Sequence, residues 1–424
     1  MKRKAVITGM GCINSLGEHP DEIWDALHHK KIGITRMDAY EQEPYSCSFG
    51  GVVQQFSAKM LDISGKNMMN RANQLELYAV IQACTQYGAL DVEEQIDCAV
   101  YLGNQLIHID YETMTILVNH CLEDGCLDFT RLGEHIRKIP PLSGVKLLPT
   151  VPSHFIAKTY HAHGEGNLLY NGEISGLLNV IQAAQDIEMG TADRIIVASV
   201  FSPFQPHEYL WLCDEQMVRT TTIDDDSSQL MFPFDERHQG IIYGEGAAAL
   251  IIESEETARA KNRTILGYVE GGSINMFPGE TFYSLTAEGF KKNLYHTLEK
   301  SEQSIKDIDL IYAHGCSSRE WDNAELEAIY SIWEHSDIQI RSSKGNIGYT
   351  GCASGIMDCV LAIQSMRHNA VFDTINYQRS ELDQDVSAYF NGELSTVERC
   401  LINNAGLGGS YCSVVLAKGD SYGK

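Results

Sequence analysis

Short apolar runs that end in glycine or other small residues recur along the chain: "KAVITGMG", "DCAVYLGN", "DRIIVASV" and "GAAALIIE" first, then "TILGYVEGG", "DLIYAHGCSS" and "CSVVLAKG". Runs this short, apolar without alternation and bounded by turn residues, predict strands buried on both faces. Between them, stretches such as "GLLNVIQAAQDIEMG" and "NAELEAIYSIWEH" place apolar residues at helical spacing. Strand and helix in alternation predict an α/β fold with helices on both sides of its sheets. The first four runs and the last three form two similar series. They predict a duplicated core, with one half over residues 1–255 and the other over 256–424, joined at the charged, non-periodic stretch "ESEETARAKNR". Residues 100–160, with "VNHCLEDGCLDF" and the loop "IPPLSG", break the rhythm and read as an insertion carried on the first half.

Composition narrows the classes. A chain of 424 residues, 44% hydrophobic and 21% charged, can bury a large core and is neither disordered nor fibrous. A net charge of −25 argues against a nucleic-acid-binding role, which draws on clustered Lys and Arg; the basic pieces "MKRK", "LHHKKIG" and "RLGEHIRKI" are short solvated faces. Twelve cysteines without CxxC or zinc-type spacing predict free thiols and a cytoplasmic protein. No apolar run approaches the roughly 18 residues of a membrane span, and the N-terminal apolar run is too short and glycine-rich for a signal peptide. His108, His161 and His163 share no metal-ligand spacing, so no metal is expected.

Two stretches raise chemistry. In "YTGCASGIMD", Cys352 sits among small residues at a predicted helix start, where the macrodipole and free N–H groups favour thiolate; the plainer reading is a small residue packed under a glycine-rich turn. The segment "PFDERHQGIIYGEGAAALIIE", residues 233–253, resembles the β-ketoacyl-acyl carrier protein synthase family of the thiolase-like superfamily. Further segments resemble the same family in order: "VITGMGCINSLG", "YAHGCSSREWDNAELEAI", "SSKGNIGYTGCASG" and "NNAGLGGSYCSVVL". The resemblance implies a thiolase-like fold, in which duplicated α/β halves form a five-layered αβαβα architecture.

It also implies where an active site stands. Working members carry a cysteine in a Thr-Ala-Cys-X-X-Gly pattern at the start of a buried helix. "ISGLLNVIQAAQDIEMGTADRIIVAS" resembles that helix, and aligning Ser175, Gly176 and the "GTAD" turn puts Glu173 in the cysteine's place. Read alone, Glu173 is equally an acid at a helix start. As a nucleophile it fails, because an acyl-carboxylate is a labile mixed anhydride rather than a thioester. His314 and Lys344 match the first histidine and the lysine of the family, but Tyr349 stands where the second histidine belongs, and Leu407 replaces an aromatic that gates the acyl channel. A phenol with an ordinary pKa near 10 is a weak base at neutral pH and a poor stand-in for imidazole. No catalytic residue is therefore expected, and Cys352, three residues past Tyr349, is expected to pack rather than react.

The pattern most resembles the chain length factor, or ketosynthase β subunit, of bacterial type II polyketide synthases, although the better-known factors carry Gln at the lost cysteine. That resemblance implies a heterodimer with an active ketosynthase and an acyl carrier protein as further partner. No cofactor is implied for this chain, because acyl groups reach the partner subunit on the carrier's phosphopantetheine. It implies an interface strand in "GEGNLLYN", including Leu168 and Tyr170, and a tunnel wall in "LGNQLIHIDYET", including Ile107, Ile109 and Tyr111. Two alternatives stay open: a malonyl-carrier-protein decarboxylase using His314 and Lys344, and a homodimeric acyl-binding homologue.

Overall fold

A computed structural model describes residues 3–86, 98–106, 109–213, 217–334 and 336–420. The apolar runs fold as strands of one ten-stranded sheet. In chain order these are β1 (Ala5–Asn14), β2 (Cys98–Asn104), β3 (Gly166–Tyr170), β4 (Arg194–Phe201) and β5 (Gly246–Ser254), then β6 (Gly267–Met276), β7 (Leu310–Tyr312), β8 (Gln339–Arg341), β9 (Arg399–Gly406) and β10 (Ser410–Lys418). Their order across the sheet is β8-β7-β9-β10-β6-β1-β5-β4-β2-β3.

The first five strands and the last five thus follow the same path. In each set the second strand pairs in parallel with the third and fourth, and the remaining pairs are antiparallel. Among the described residues, the strands of the two sets pair with each other only where Ala5, Val6 and Ile7 face Val269, Tyr268 and Gly267. The fold is therefore the duplicated α/β arrangement that the sequence predicts.

Alternation along the strands divides the core into layers. In β2, Ala99 and Tyr101 join the central cluster, whereas Val100 and Leu102 join an outer one. Helices α1 (Arg71–Thr85) and α2 (Val151–Tyr160) cover the outer face of the first half. Helix α3 (Ser175–Met189) lies in the middle, and α4 (Ala287–Lys300) and α5 (Arg319–Trp333) cover the outer face of the second half. Helix α6 (Ser354–His368) packs beside α3, and both touch strands of each half. The result is five layers, helix–sheet–helix–sheet–helix.

The middle pair explains its own sequence. Every residue from Ser354 to Met366 is buried, as a helix enclosed on all sides requires, so small and apolar side chains run all round it. Helix α3 stops at Gly190, whose φ of +76° and backbone N–H close the last turn onto the carbonyls of Asp186 and Ile187.

After β2 the segment 105–165 adds helices and a short hairpin, and none of its described residues joins the main sheet. The helix Tyr111–Cys121 is capped by Asp110, which accepts the N–H of Thr113 at 3.0 Å. The joining stretch forms the helix Glu255–Ala260, capped by Ser254. No helix among the described residues is long and apolar enough to cross a membrane.

Candidate functional site

The two middle helices begin alike. A single turn at Gly172–Ile174 leads into α3, and one at Gly351–Ala353 leads into α6. Gly172 and Gly351 have φ of +58° and +45°, the left-handed region that glycine enters most cheaply. The sequences "GEISG" and "GCASG" occupy matching places in the two halves, so Glu173 and Cys352 are counterparts. The helix starts touch: a Cβ on Gly176 would stand 2.4 Å from the carbonyl oxygen of Cys352. Cys352 resembles a nucleophile because it repeats, in the second half, the turn that carries Glu173 in the first. Its thiol is fully buried and donates to the carbonyl of Val200 at 3.1 Å. Burial, with the nearby carboxyls of Glu76 and Glu173, pushes its pKa up to about 12, so it is not a thiolate at neutral pH.

Glu173 is only 4% exposed. One carboxylate oxygen accepts the backbone N–H of Leu407 at 3.2 Å, and the other accepts the side-chain amide of Gln105 at 3.1 Å. Gln105 in turn accepts the N–H of Cys352 at 3.1 Å, so its side chain spans the two helix starts. Gly406 gives the carboxylate room, since a Cβ there would lie 2.3 Å from Oε2.

His314 follows β7 and is buried. Its loop is held by Glu325, which accepts the N–H groups of His314 and Gly315, both at 2.8 Å, and the amide of Asn403 at 2.6 Å. Burial raises the Glu325 pKa to about 7 against those donors. Asn404 links the histidine to Glu173: its amide nitrogen donates to the Glu173 carbonyl at 3.1 Å, which turns its oxygen toward His314 Nδ1 at 2.9 Å.

Two acceptors cannot face each other at that distance, so the network assigns the imidazole proton to Nδ1. The N–H of Ala405 then has Asn404 as its closer acceptor, at 2.9 Å against 3.2 Å to Nδ1. Nε2 is left with a bare lone pair, buried and without a hydrogen-bond partner. Desolvation, reinforced by Lys344, lowers the histidine pKa to about 3, so the ring is neutral at pH 7.

Tyr349 stacks edge-on against that ring, with centroids 5.4 Å apart, and its hydroxyl is also buried without a hydrogen-bond partner. Burial and the Glu173 carboxyl hold its pKa well above the ordinary phenol range. Lys344 donates to Asp358 at 2.5 Å and to the carbonyl of Ala313 at 2.9 Å.

The structure thus gathers Glu173, His314 and Tyr349 into one buried cluster, with the half-buried Leu407 at its edge and Lys344 behind it. Gln105, Asn404 and Glu325 are site residues that motif reasoning passed over. Asn404 was visible as an unexplained polar pair with Asn403 inside an apolar strand, and Gln105 as an amide directly after β2. The tunnel residues are more scattered. Ile107 lies outside the described residues, and Ile109 is half-buried just before the Asp110 cap. Tyr111 is 53% exposed and stands near the hydroxyls of Tyr40 and Tyr45. Leu168 packs on the outer cluster of the first half, while Tyr170, at the end of β3, is 42% exposed. Among the described residues no group of His, Cys, Asp and Glu is placed to hold a metal ion.

Comparison with known proteins agrees with this geometry. Residues 2–258 match the β-ketoacyl synthase N-terminal domain, and residues 266–378 match the corresponding C-terminal domain. The chain is 24% identical to the actinorhodin polyketide putative β-ketoacyl synthase 1 of Streptomyces coelicolor, over 100% of this chain and 90% of that protein. It is 23% identical to a 3-oxoacyl-[acyl-carrier-protein] synthase 2 of Staphylococcus aureus over 98% of both. Among solved structures, the ishigamide ketosynthase/chain length factor superposes with a TM-score of 0.84 at 19% identity over all of both chains. A β-ketoacyl synthase from Burkholderia phymatum superposes at 0.85 with 22% identity, covering 98% of this chain and 99% of that one. With the fold, the paired helix starts and both domain matches in agreement, the chain belongs to the β-ketoacyl synthase family.

Proposed function

We propose that this protein is a non-catalytic chain length factor that pairs with an active, cysteine-bearing ketosynthase and helps to enclose its growing polyketide chain. The observation that carries the reading is Glu173: the place of the thiol holds a carboxyl, clamped by Leu407 and Gln105 and unable to keep an acyl group as a thioester. One similar structure is a ketosynthase/chain length factor, and another is a type II polyketide synthase acyl carrier protein in complex with its ketosynthase bound to the hexaketide. An acyl carrier protein is accordingly the second partner, delivering acyl groups to the ketosynthase subunit.

The surface fits a partner. Among the described residues, strand β3 is the outermost of its half, and one of its edges has no paired strand. An open edge ending in the exposed Tyr170 is suited to continuing the sheet into a second subunit.

The decarboxylase alternative is less well served. Its histidine must donate a hydrogen bond to the developing enolate, and Nε2 of His314 carries no proton to donate. Lys344 is committed to Asp358, and a malonyl carboxylate entering the cluster would meet the Glu173 carboxyl. Incubating the heterodimer with octanoyl-N-acetylcysteamine, followed by intact-protein mass spectrometry, tests the reading. The octanoyl mass should appear on the ketosynthase alone, and its appearance on this chain would refute a silent subunit. Malonyl-carrier-protein should release no carbon dioxide in the presence of this chain by itself.

A further inference from the structure

The turn that follows Phe234 carries a histidine outside the Glu173 cluster. The side chain of His238 is fully buried, and neither of its ring nitrogens has a hydrogen-bond partner. Each nitrogen instead faces a carboxylate. Nδ1 stands 3.9 Å from Oδ2 of Asp322, and Nε2 stands 3.6 Å from Oε2 of Glu381. Both separations exceed a hydrogen bond, so the attraction there is ionic. A doubly protonated ring presents an N–H to each carboxylate, whereas a neutral ring must turn a lone pair on one of them. The geometry therefore suits the imidazolium.

The two carboxylates are held differently. Asp322, in α5, is fully buried and accepts three backbone N–H groups, those of Cys316 at 2.8 Å, Ser317 at 3.0 Å and Phe234 at 2.8 Å. Those donors fix it in place as an anion. Glu381 belongs to the surface segment 377–387, which with Glu236 and Arg319 lines a cleft of about 980 Å³. Its other partners are Arg319 at 2.8 Å, whose side chain is 72% exposed, and Asn323 at 2.7 Å. An ion pair with so exposed an arginine is a weak tether. The other charges nearby, Asp235, Glu236 and Arg237, lie on the histidine's own turn. Arg237 donates to Asp235 at 2.5 Å, and Glu236 pairs with Arg379 at 2.8 Å. Asp235 also accepts the N–H groups of Gln378 at 2.6 Å and Arg379 at 3.1 Å, so the segment is pinned at 378–379 whatever the charge on His238. Past that point, Glu381 is the residue that ties the segment to the buried ring.

We propose that His238 is a proton-controlled fastener for the wall of this cleft. Charged, it holds Glu381 against α5. Neutral, with its remaining N–H directed to the fixed Asp322, it turns a lone pair on Glu381 and releases residues 380–387. Imidazoles ordinarily change charge between about pH 5 and 8, so the segment is fastened on the acid side of that range and freed on the alkaline side.

Hydrogen exchange of the whole protein, read by mass spectrometry from about pH 6 to 9 and corrected for the intrinsic pH dependence of exchange, tests the fastener. Peptides from 380–387 should lose about tenfold in protection across that range, while those from α5 and α6 keep theirs. His238→Arg, which stays charged, should hold the segment protected at the alkaline end. Glu381→Gln, a change at the partly exposed end of the contact that leaves the buried ring in place, should abolish the pH dependence of the segment. Protection of 380–387 that is flat with pH in the unmodified protein overturns the proposal, and so does a pH dependence that survives in Glu381→Gln.

Discussion

Two buried carboxyls sit in opposite circumstances: Glu173 receives a backbone N–H and an amide, while Glu76 receives neither. The folded pKa of Glu76, about 8, lies above its ordinary 4.5, so the native state holds a proton that the unfolded chain releases between those values. Stability from this group is fully present below pH 4.5 and is lost as pH rises toward 8, by roughly 1.4 kcal/mol per pH unit at most. Urea unfolding of Glu76→Gln should therefore show a flatter profile than the unmodified protein across that window. His314 works on the acid side: with its pKa lowered from 6.5 to about 3, the unfolded state binds the extra proton, and stability falls as pH drops through that interval. That acid limb should survive in Glu76→Gln. Contact between Gly406 and the Glu173 carboxyl gives a second check, a double-mutant cycle. Gly406→Ala should cost about 1–3 kcal/mol in the unmodified protein and much less when Glu173 is already Ala; equal costs in both backgrounds would contradict the contact. Glu173, His314 and Tyr349 were readable because a motif fixes their positions. Gln105 and Asn404 were not, because their roles lie in partners far away in sequence, Glu173 for the one and His314 for the other.

Strands and helices were legible wherever burial was complete. Strands β1, β2, β4 and β5 are buried along their whole length and stand out as unbroken apolar runs. Strand β3 has exposed ends and a half-buried middle, so apolar pattern alone does not mark it; it surfaced only through the family resemblance. β8 is three residues long, and β9 interrupts its apolar run with Asn403 and Asn404, whose polarity is answered by Glu325, Ser413, His314 and Glu173 rather than by anything local. The start of α3 is a tight junction, where a Cβ on Gly176 would stand 2.4 Å from the carbonyl oxygen of Cys352. Gly176→Ala should destabilise the fold by about 2 kcal/mol or more, because its Cβ meets a backbone oxygen that cannot swing away. Gly133→Ala, in the helix Phe129–His135 with nothing within 4 Å, should be neutral or stabilise by up to about 1 kcal/mol. Comparable denaturation midpoints for the two variants would contradict the close packing of the middle helices.

Taken together, the chain is a β-ketoacyl synthase fold whose two halves each present a helix start to a shared buried cluster, with a carboxyl at one start and an inert thiol at the other. The duplication was legible from the two series of apolar runs. What the proposed partner would contribute was not, because a tunnel between two subunits would be written in two sequences. The open edge of β3, the exposed Tyr170 and the apolar side chains Phe129, Ile136 and Leu148 left at the surface of the 105–165 segment are the features a second subunit would cover. Native mass spectrometry of the protein, purified alone and co-expressed with the cysteine-bearing ketosynthase encoded nearest to it, tests the proposed pairing most directly. A stable one-to-one heterodimer is the predicted result. A homodimer that forms regardless of the ketosynthase would contradict the chain-length-factor reading and favour the acyl-binding homologue instead.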